Sequence, residues 1–110
     1  MTTAYTICIR KLNDVFRTTW ITGTVLLTSG IQNLSDTTQS RIAEAVQGFD
    51  AFTPDNDPHG EHDFGSVTVE NYKVFWKIDY YDRTMQYGSE DPANPAVTKR
   101  VLTIMLADEY

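Results

Sequence analysis

The sequence predicts an α+β fold: two helices packed on a small, mainly antiparallel sheet of about four strands, in the order α-β-α-β-β-β. Three observations carry that expectation. Apolar residues recur at helical spacing over residues 4–18 and again over about 36–48. After the loop of residues 50–61 the period changes to two, with Val67 and Val69 alternating with polar neighbours. Finally, 110 residues, 41% hydrophobic and 22% charged, suit one domain spanning 1–110 and are too few for two.

In the first helix Ile7, Cys8, Lys11, Leu12, Val15 and Phe16 form the inward stripe. Arg10, Asn13, Asp14 and Arg17 fall mostly on the other side, which makes the helix amphipathic and places Cys8 in the core as an unreactive thiol. Trp20 to Gly23 leads into Thr24-Val-Leu-Leu-Thr-Ser, ended by Gly30. That run is too brief for a helix and reads as a buried strand. Ser35 and Asp36 supply cap chemistry for the second helix, Ile42, Ala45, Val46 and Phe49 its buried stripe, and Gly48 its C-cap. Residues 50–61, with Pro54, Asp55, Asn56, Asp57, Pro58 and Gly60, form a loop. A hairpin follows: Val67 and Val69 on the outgoing strand, a turn at Glu70-Asn71-Tyr72, and a return over Val74 to Tyr81. On the return strand the alternation assigns Trp76, Ile78 and Tyr80 to the core face and Lys77, Asp79 and Tyr81 to the other. Gly88 to Pro95 is a second loop. Arg100 to Ala107 fits either a strand or a helix, and its β-branched content and short length favour a strand.

Composition excludes several classes. Cys8 is the only cysteine, which rules out a disulfide-stapled scaffold and a four-thiolate zinc site. No apolar run approaches the roughly 20 residues that span a bilayer, and the opening residues lack the pattern of a signal peptide. The expectation is a protein of the cytoplasm, with no membrane partner. The net charge is −6, and its excess lies in residues 50–95, where ten carboxylates face only Lys73, Lys77 and Arg83. Such acidity disfavours direct nucleic-acid binding and suits a metal or a partner protein with a basic surface, although a small soluble domain carries this much charge with no special partner.

Three clusters are candidates for chemistry. Asn56-Asp57-Pro58-His59-Gly60-Glu61-His62-Asp63-Phe64-Gly65 holds both histidines among three carboxylates. His59, His62, Asp57 and Asp63 are the ligand types of one divalent metal ion, with Gly60 and Gly65 letting the backbone close around it. The ordinary alternative is a hydrogen-bonded turn with Asp57 or Asp63 capping amides. Second, Lys77, Asp79 and Tyr81 would line a polar groove beside that loop, or form a solvated face with a cross-strand ion pair. Third, Tyr87-Gly-Ser-Glu-Asp-Pro92 adds Ser89, Glu90 and Asp91, without the elbow that activates a serine nucleophile.

Together, Phe49-Asp50-x-Phe52-x-Pro54 through Gly65, Val74 through Asp82, Tyr87-Gly88-Ser89-x-Asp91-Pro92 and Arg100 through Ala107 resemble the family called domain of unknown function 3768. The likeness extends over nearly the whole chain, from Arg10-Lys-Leu-Asn-Asp14 onward. The resemblance implies small bacterial proteins of plasmids and other mobile elements, often beside anti-restriction genes, and by association an anti-defence role in the host cell. Two expectations follow. In the first, the chain inhibits a host restriction or CRISPR complex by occupying its basic nucleic-acid-binding surface, with no cofactor. Asp55, Asp57, Glu61, Asp63, Asp79, Asp82, Glu90 and Asp91 stand in for phosphates, and Tyr81 and Tyr87 anchor the contact. In the alternative it is a small metal-dependent hydrolase, with the metal on His59, His62 and Asp57 or Asp63, and Lys77, Asp79 or Tyr81 as acid/base partner. Nothing in the sequence decides the oligomeric state.

Overall fold

The computed structural model describes residues 2–110. Helix α1 (Ala4–Thr19) leads to strand β1 (Thr24–Leu27), a one-turn helix α2 (Ser29–Gln32) and helix α3 (Asp36–Gln47). After the long loop come strands β2 (Phe64–Val69), β3 (Tyr72–Tyr81) and β4 (Lys99–Leu106), and a final 3₁₀ turn at Ala107–Glu109. The sheet order is β1-β4-β3-β2, with β2/β3 and β3/β4 antiparallel and β1/β4 parallel. The fold is therefore α+β with a mixed sheet, and Arg100 to Ala107 resolves as strand β4 running into the final turn.

Both long helices start where their caps dictate. The Thr3 hydroxyl accepts from the Thr6 N–H at 3.1 Å, and the Ser35 hydroxyl from the Thr38 N–H at 3.1 Å. Ile42 and Val46 of α3, Phe16 of α1 and Ile31 of α2 cover a sheet face made by Val74, Trp76, Ile78, Leu102 and Ile104. The hairpin turns at Glu70 and Asn71, whose φ values of 51° and 71° give the twist that matches the strands on either side.

Three readings of the sequence need correction. The run Thr24–Ser29 is not one buried strand: β1 ends at Leu27, and Ser29 begins α2. β1 is an edge strand with Leu26 half exposed, because only β4 flanks it. The inward stripe of α1 is Ile9, Asn13, Phe16 and Arg17, while Val15 is 52% exposed. Cys8 is exposed, its thiol 3.5 Å from the Ala93 carbonyl, so it is not a core thiol. The helix is rotated because loop carbonyls and ring hydroxyls supply partners for its polar residues, and a partnered polar side chain is cheap to bury.

Gly65 is needed where β2 passes over Trp76. A Cβ there would lie 2.5 Å from the indole Nε1 of a tryptophan that is fully buried. Gly65→Ala is expected to cost about 2–3 kcal/mol, since neither ring nor strand has room to yield. Urea denaturation monitored by fluorescence measures this, and an unchanged midpoint would contradict the packing described.

Candidate functional site

The loop of residues 48–63 is laid along α1 and pinned by one polar row of that helix. Arg10 Nε donates to the Gly60 carbonyl at 2.7 Å, and Asn13 Nδ2 to the Glu61 carbonyl at 2.9 Å. Asp14 meets His62 Nδ1 at 2.9 Å. Arg17 donates to the Val46 and Gln47 carbonyls at 3.1 Å and to Asp14 at 3.3 Å, with its guanidinium 5.4 Å from the Phe52 ring centre and 5.3 Å from that of Trp76. Residues 10, 13, 14 and 17 share one face because they lie three and four apart. That spacing was the available signal. The pattern alone sets this side opposite the core stripe, because nothing in the helix itself reveals that a loop fifty residues away supplies the partners.

His62 is held on several sides. Its ring stacks on Phe52, centroids 3.7 Å apart and planes 2° from parallel. Asp57 is on the other side of the imidazole, with Oδ2 3.6 Å from Nε2, and Oδ1 accepts the His62 N–H at 3.2 Å. The residue adopts the left-handed conformation, φ 55°, and Gly60 does so at 71°. These two positions let the chain turn tightly enough for His62 to reach back to both carboxylates. A cleft of about 490 Å³ opens beside the pair, lined by Thr6, Arg10, Phe52, Thr53, Asp57, His59 and His62 among others.

The second knot is deeper. Asn13, fully buried, also donates to the Tyr80 hydroxyl at 2.8 Å and accepts from Arg100 Nε at 2.7 Å. The Tyr80 hydroxyl donates to Glu61 Oε1 at 2.7 Å. Burial, then this bond to Glu61, pushes the Tyr80 phenol well above its usual range. Tyr5 is likewise raised, by partial loss of solvent and then by neighbouring Asp91, with Glu61 adding. Asp63 is raised by burial first and then by Glu61, Asp57 contributing, while its own backbone and His59 pull the other way. The 87–92 loop reaches the same end of α1 as the 57–63 loop, so carboxylates from both loops act on one small region.

The placement of the other sequence candidates divides them. Asp55 and Glu90 are exposed, as is Tyr87 at 71%. Asp82 accepts from the Thr84 hydroxyl and the Thr84 and Gln86 amides, which lowers its pKa, the hydroxyl contributing most. Asp91 accepts from the Ala93 N–H, and the Ser89 hydroxyl shares a 2.7 Å bond with that of Thr98, so both brace their own loop. Lys77 and Asp79 pair at 3.2 Å, each side chain about 40% exposed. Register places them and Tyr81 on the sheet face away from the helices, whereas His62 stacks on Phe52 and Phe52 packs against Trp76 on the helix face. The groove that would join Lys77, Asp79 and Tyr81 to the histidine loop is therefore not formed.

Nor are the metal candidates gathered. His59 is exposed, His62 is committed to Asp14, and Asp57 is committed to the His62 backbone. Among the described residues no three His, Cys, Asp or Glu side chains converge as a metal site would require.

The crowding around Asp63 has a pH consequence. Its native pKa is raised, so the folded chain holds that proton across an interval in which the unfolded chain has lost it, and stability declines as pH rises through the interval. Asp63→Asn removes that decline. The variant is expected to unfold at higher urea than the parent at pH 7, the difference shrinking as pH falls below the ordinary carboxylate range. A variant less stable than the parent at pH 7 would contradict the repulsion.

A family described as protein of unknown function (DUF3768) matches residues 27–109. No curated protein and no solved structure matches the chain.

Proposed function

The chain belongs to the DUF3768 family, and from that membership and the geometry above we propose that it is a binding protein whose acidic end engages a basic protein surface. The observation that carries the reading is the convergence of two loops, distant in sequence, on α1, where Arg10 and Asn13 hold Gly60 and Glu61 and the Cys8 thiol lies 3.5 Å from the Ala93 carbonyl. Asp57 and Glu61 act on Asp63 there, and Glu61 and Asp91 act together on Tyr5. Like charges held this close repel, and the bonds from Arg10, Asn13 and Tyr80 hold them in place. A cationic partner relieves that repulsion, so the arrangement favours binding over isolation. Exposed Asp55, Glu90 and Tyr87 extend the surface outward, the tyrosine supplying an aromatic anchor. The mobile-element setting that the family resemblance implies names the partner class: the nucleic-acid-binding surface of a host restriction or CRISPR complex. The hydrolase alternative draws no support from donors that point to separate partners.

The test titrates the purified chain against such a complex loaded with labelled DNA, and in parallel against a labelled arginine-rich peptide. DNA is released as the chain is added, and affinity for the peptide falls at least tenfold between about 50 and 200 mM salt, as for other multi-charge contacts. The triple variant Asp55→Asn, Glu90→Gln, Asp91→Asn loses binding, while each single change has only a small effect. Salt-independent binding, or full binding by the triple variant, overturns the reading.

A further inference from the structure

We propose that a basic corner at the start of β4 is a binding site for a phosphate-class anion. Two adjoining clefts of about 320 and 240 Å³ meet there and share Thr22, Arg83, Thr98 and Arg100, with Thr24 and Lys99 added in the smaller. No aspartate or glutamate lines either cleft, in a chain whose net charge is −6.

Arg100 carries the argument. It is 5% exposed, yet among the described residues it forms no salt bridge with any carboxylate. Its guanidinium lies 5.1 Å from the centre of the Tyr80 ring, Nε donates to Asn13, and Nη2 donates to the Pro92 carbonyl. Nη1 is left without a protein partner among the described residues. Loss of solvent pulls the Arg100 pKa down, Tyr80, then Cys8 and then Glu61 offsetting part of it, and the Glu61 carboxylate is itself engaged with the Tyr80 hydroxyl. Buried cations in proteins are paired, because an uncompensated charge in a low-dielectric interior is costly. Here Arg100 has no carboxylate partner among the described residues, and it lines both clefts.

The surroundings supply what an oxyanion needs. Arg83 and Lys99 are exposed and form no salt bridge among the described residues, and the Thr22 and Thr24 hydroxyls are likewise uncommitted. A guanidinium presents paired N–H groups at the spacing of phosphate oxygens, and a lysine adds a mobile point charge. The corner takes its residues from the two ends of the 82–98 loop and from β4, and Thr98 and Arg100 are held by the Asp91 and Pro92 carbonyls of that loop, whereas the exposed Tyr87 and Glu90 line neither cleft.

The test is titration of inorganic phosphate into ¹⁵N-labelled protein at constant low ionic strength, with chloride as the balancing anion, while backbone amide shifts are recorded. Saturable shifts centred on residues 22–24 and 98–100 are expected. In the double variant Arg83→Gln, Lys99→Gln, both at exposed positions, binding weakens about tenfold or more while the melting temperature is unchanged. Shifts that never saturate below roughly 20 mM, weaker than any specific phosphate contact warrants, overturn the site, as does equal affinity in the double variant. A parallel titration with a short single-stranded oligothymidylate identifies the source. Tighter binding than free phosphate through the same residues assigns the corner to a nucleic-acid backbone, and phosphate binding without oligonucleotide binding assigns it to a small phosphate-bearing ligand.

Discussion

Asn13→Ala is expected to destabilise the protein by roughly 3–5 kcal/mol, among the largest effects of any single polar substitution here. The side chain is fully buried and joins four parts of the fold at once: α1 itself, the Glu61 carbonyl of the loop, the Tyr80 hydroxyl of β3 and the Arg100 guanidinium of β4. Alanine removes all three bonds and leaves a buried carbonyl, a buried cation and a phenol short of partners, which costs more than the bonds themselves contribute. Tyr80→Phe is the informative companion. It removes one hydroxyl that serves both Asn13 and Glu61, and about 1–2 kcal/mol is expected. The double variant then falls short of the sum, because the same network is broken only once. Chemical denaturation of the four proteins measures the coupling, and simple additivity would mean that the network is not cooperative.

The position of Asn13 shows what could and could not be read from the sequence. The hairpin was legible because its information is local: Val67 and Val69, the turn at Glu70-Asn71, and the alternation from Val74 to Tyr80 all lie within a few residues of each other. The N-cap of α3 was legible for the same reason. The orientation of α1 was not. Its hydrophobic pattern permits two faces, one with Leu12 and Val15 inward and one with Ile9 and Phe16 inward, and the choice is made by Gly60, Glu61, Tyr80 and Arg100, none of them nearby in sequence. The composition of the loop motif around His59 and His62 suggested a ligand set. The structure shows that much of its polarity is spent on holding itself against α1. Asp14 and Phe52, the two closest neighbours of His62, were absent from the candidate residues because each looks ordinary until the loop folds over it. Cys8 follows from the same rotation: moving the buried stripe to Ile9 carries its neighbour to the surface.

The two histidines are expected to respond very differently to substitution, and the comparison separates a braced loop from a shared metal. His62→Ala removes the 2.9 Å contact with Asp14 and the face-to-face contact with Phe52, and it leaves Asp57, whose side chain is 5% exposed, without the imidazole beside it. About 2–3 kcal/mol of stability is lost, a fall in melting temperature of the order of 10 °C for a domain of this size. His59→Ala changes stability by less than about 0.5 kcal/mol, since that ring is exposed. Backbone conformation adds a further signature. At φ 55° an alanine is strained by about 1 kcal/mol where glycine is not, so His62→Gly is expected to be more stable than His62→Ala, the reverse of the order inside a helix. Melting curves of all three variants and the parent, each with and without chelator, give the test. Chelator is expected to leave every curve unchanged. If His59→Ala and His62→Ala instead lost stability equally, and only without chelator, the two rings would have to share an ion, and the loop would be a metal centre after all.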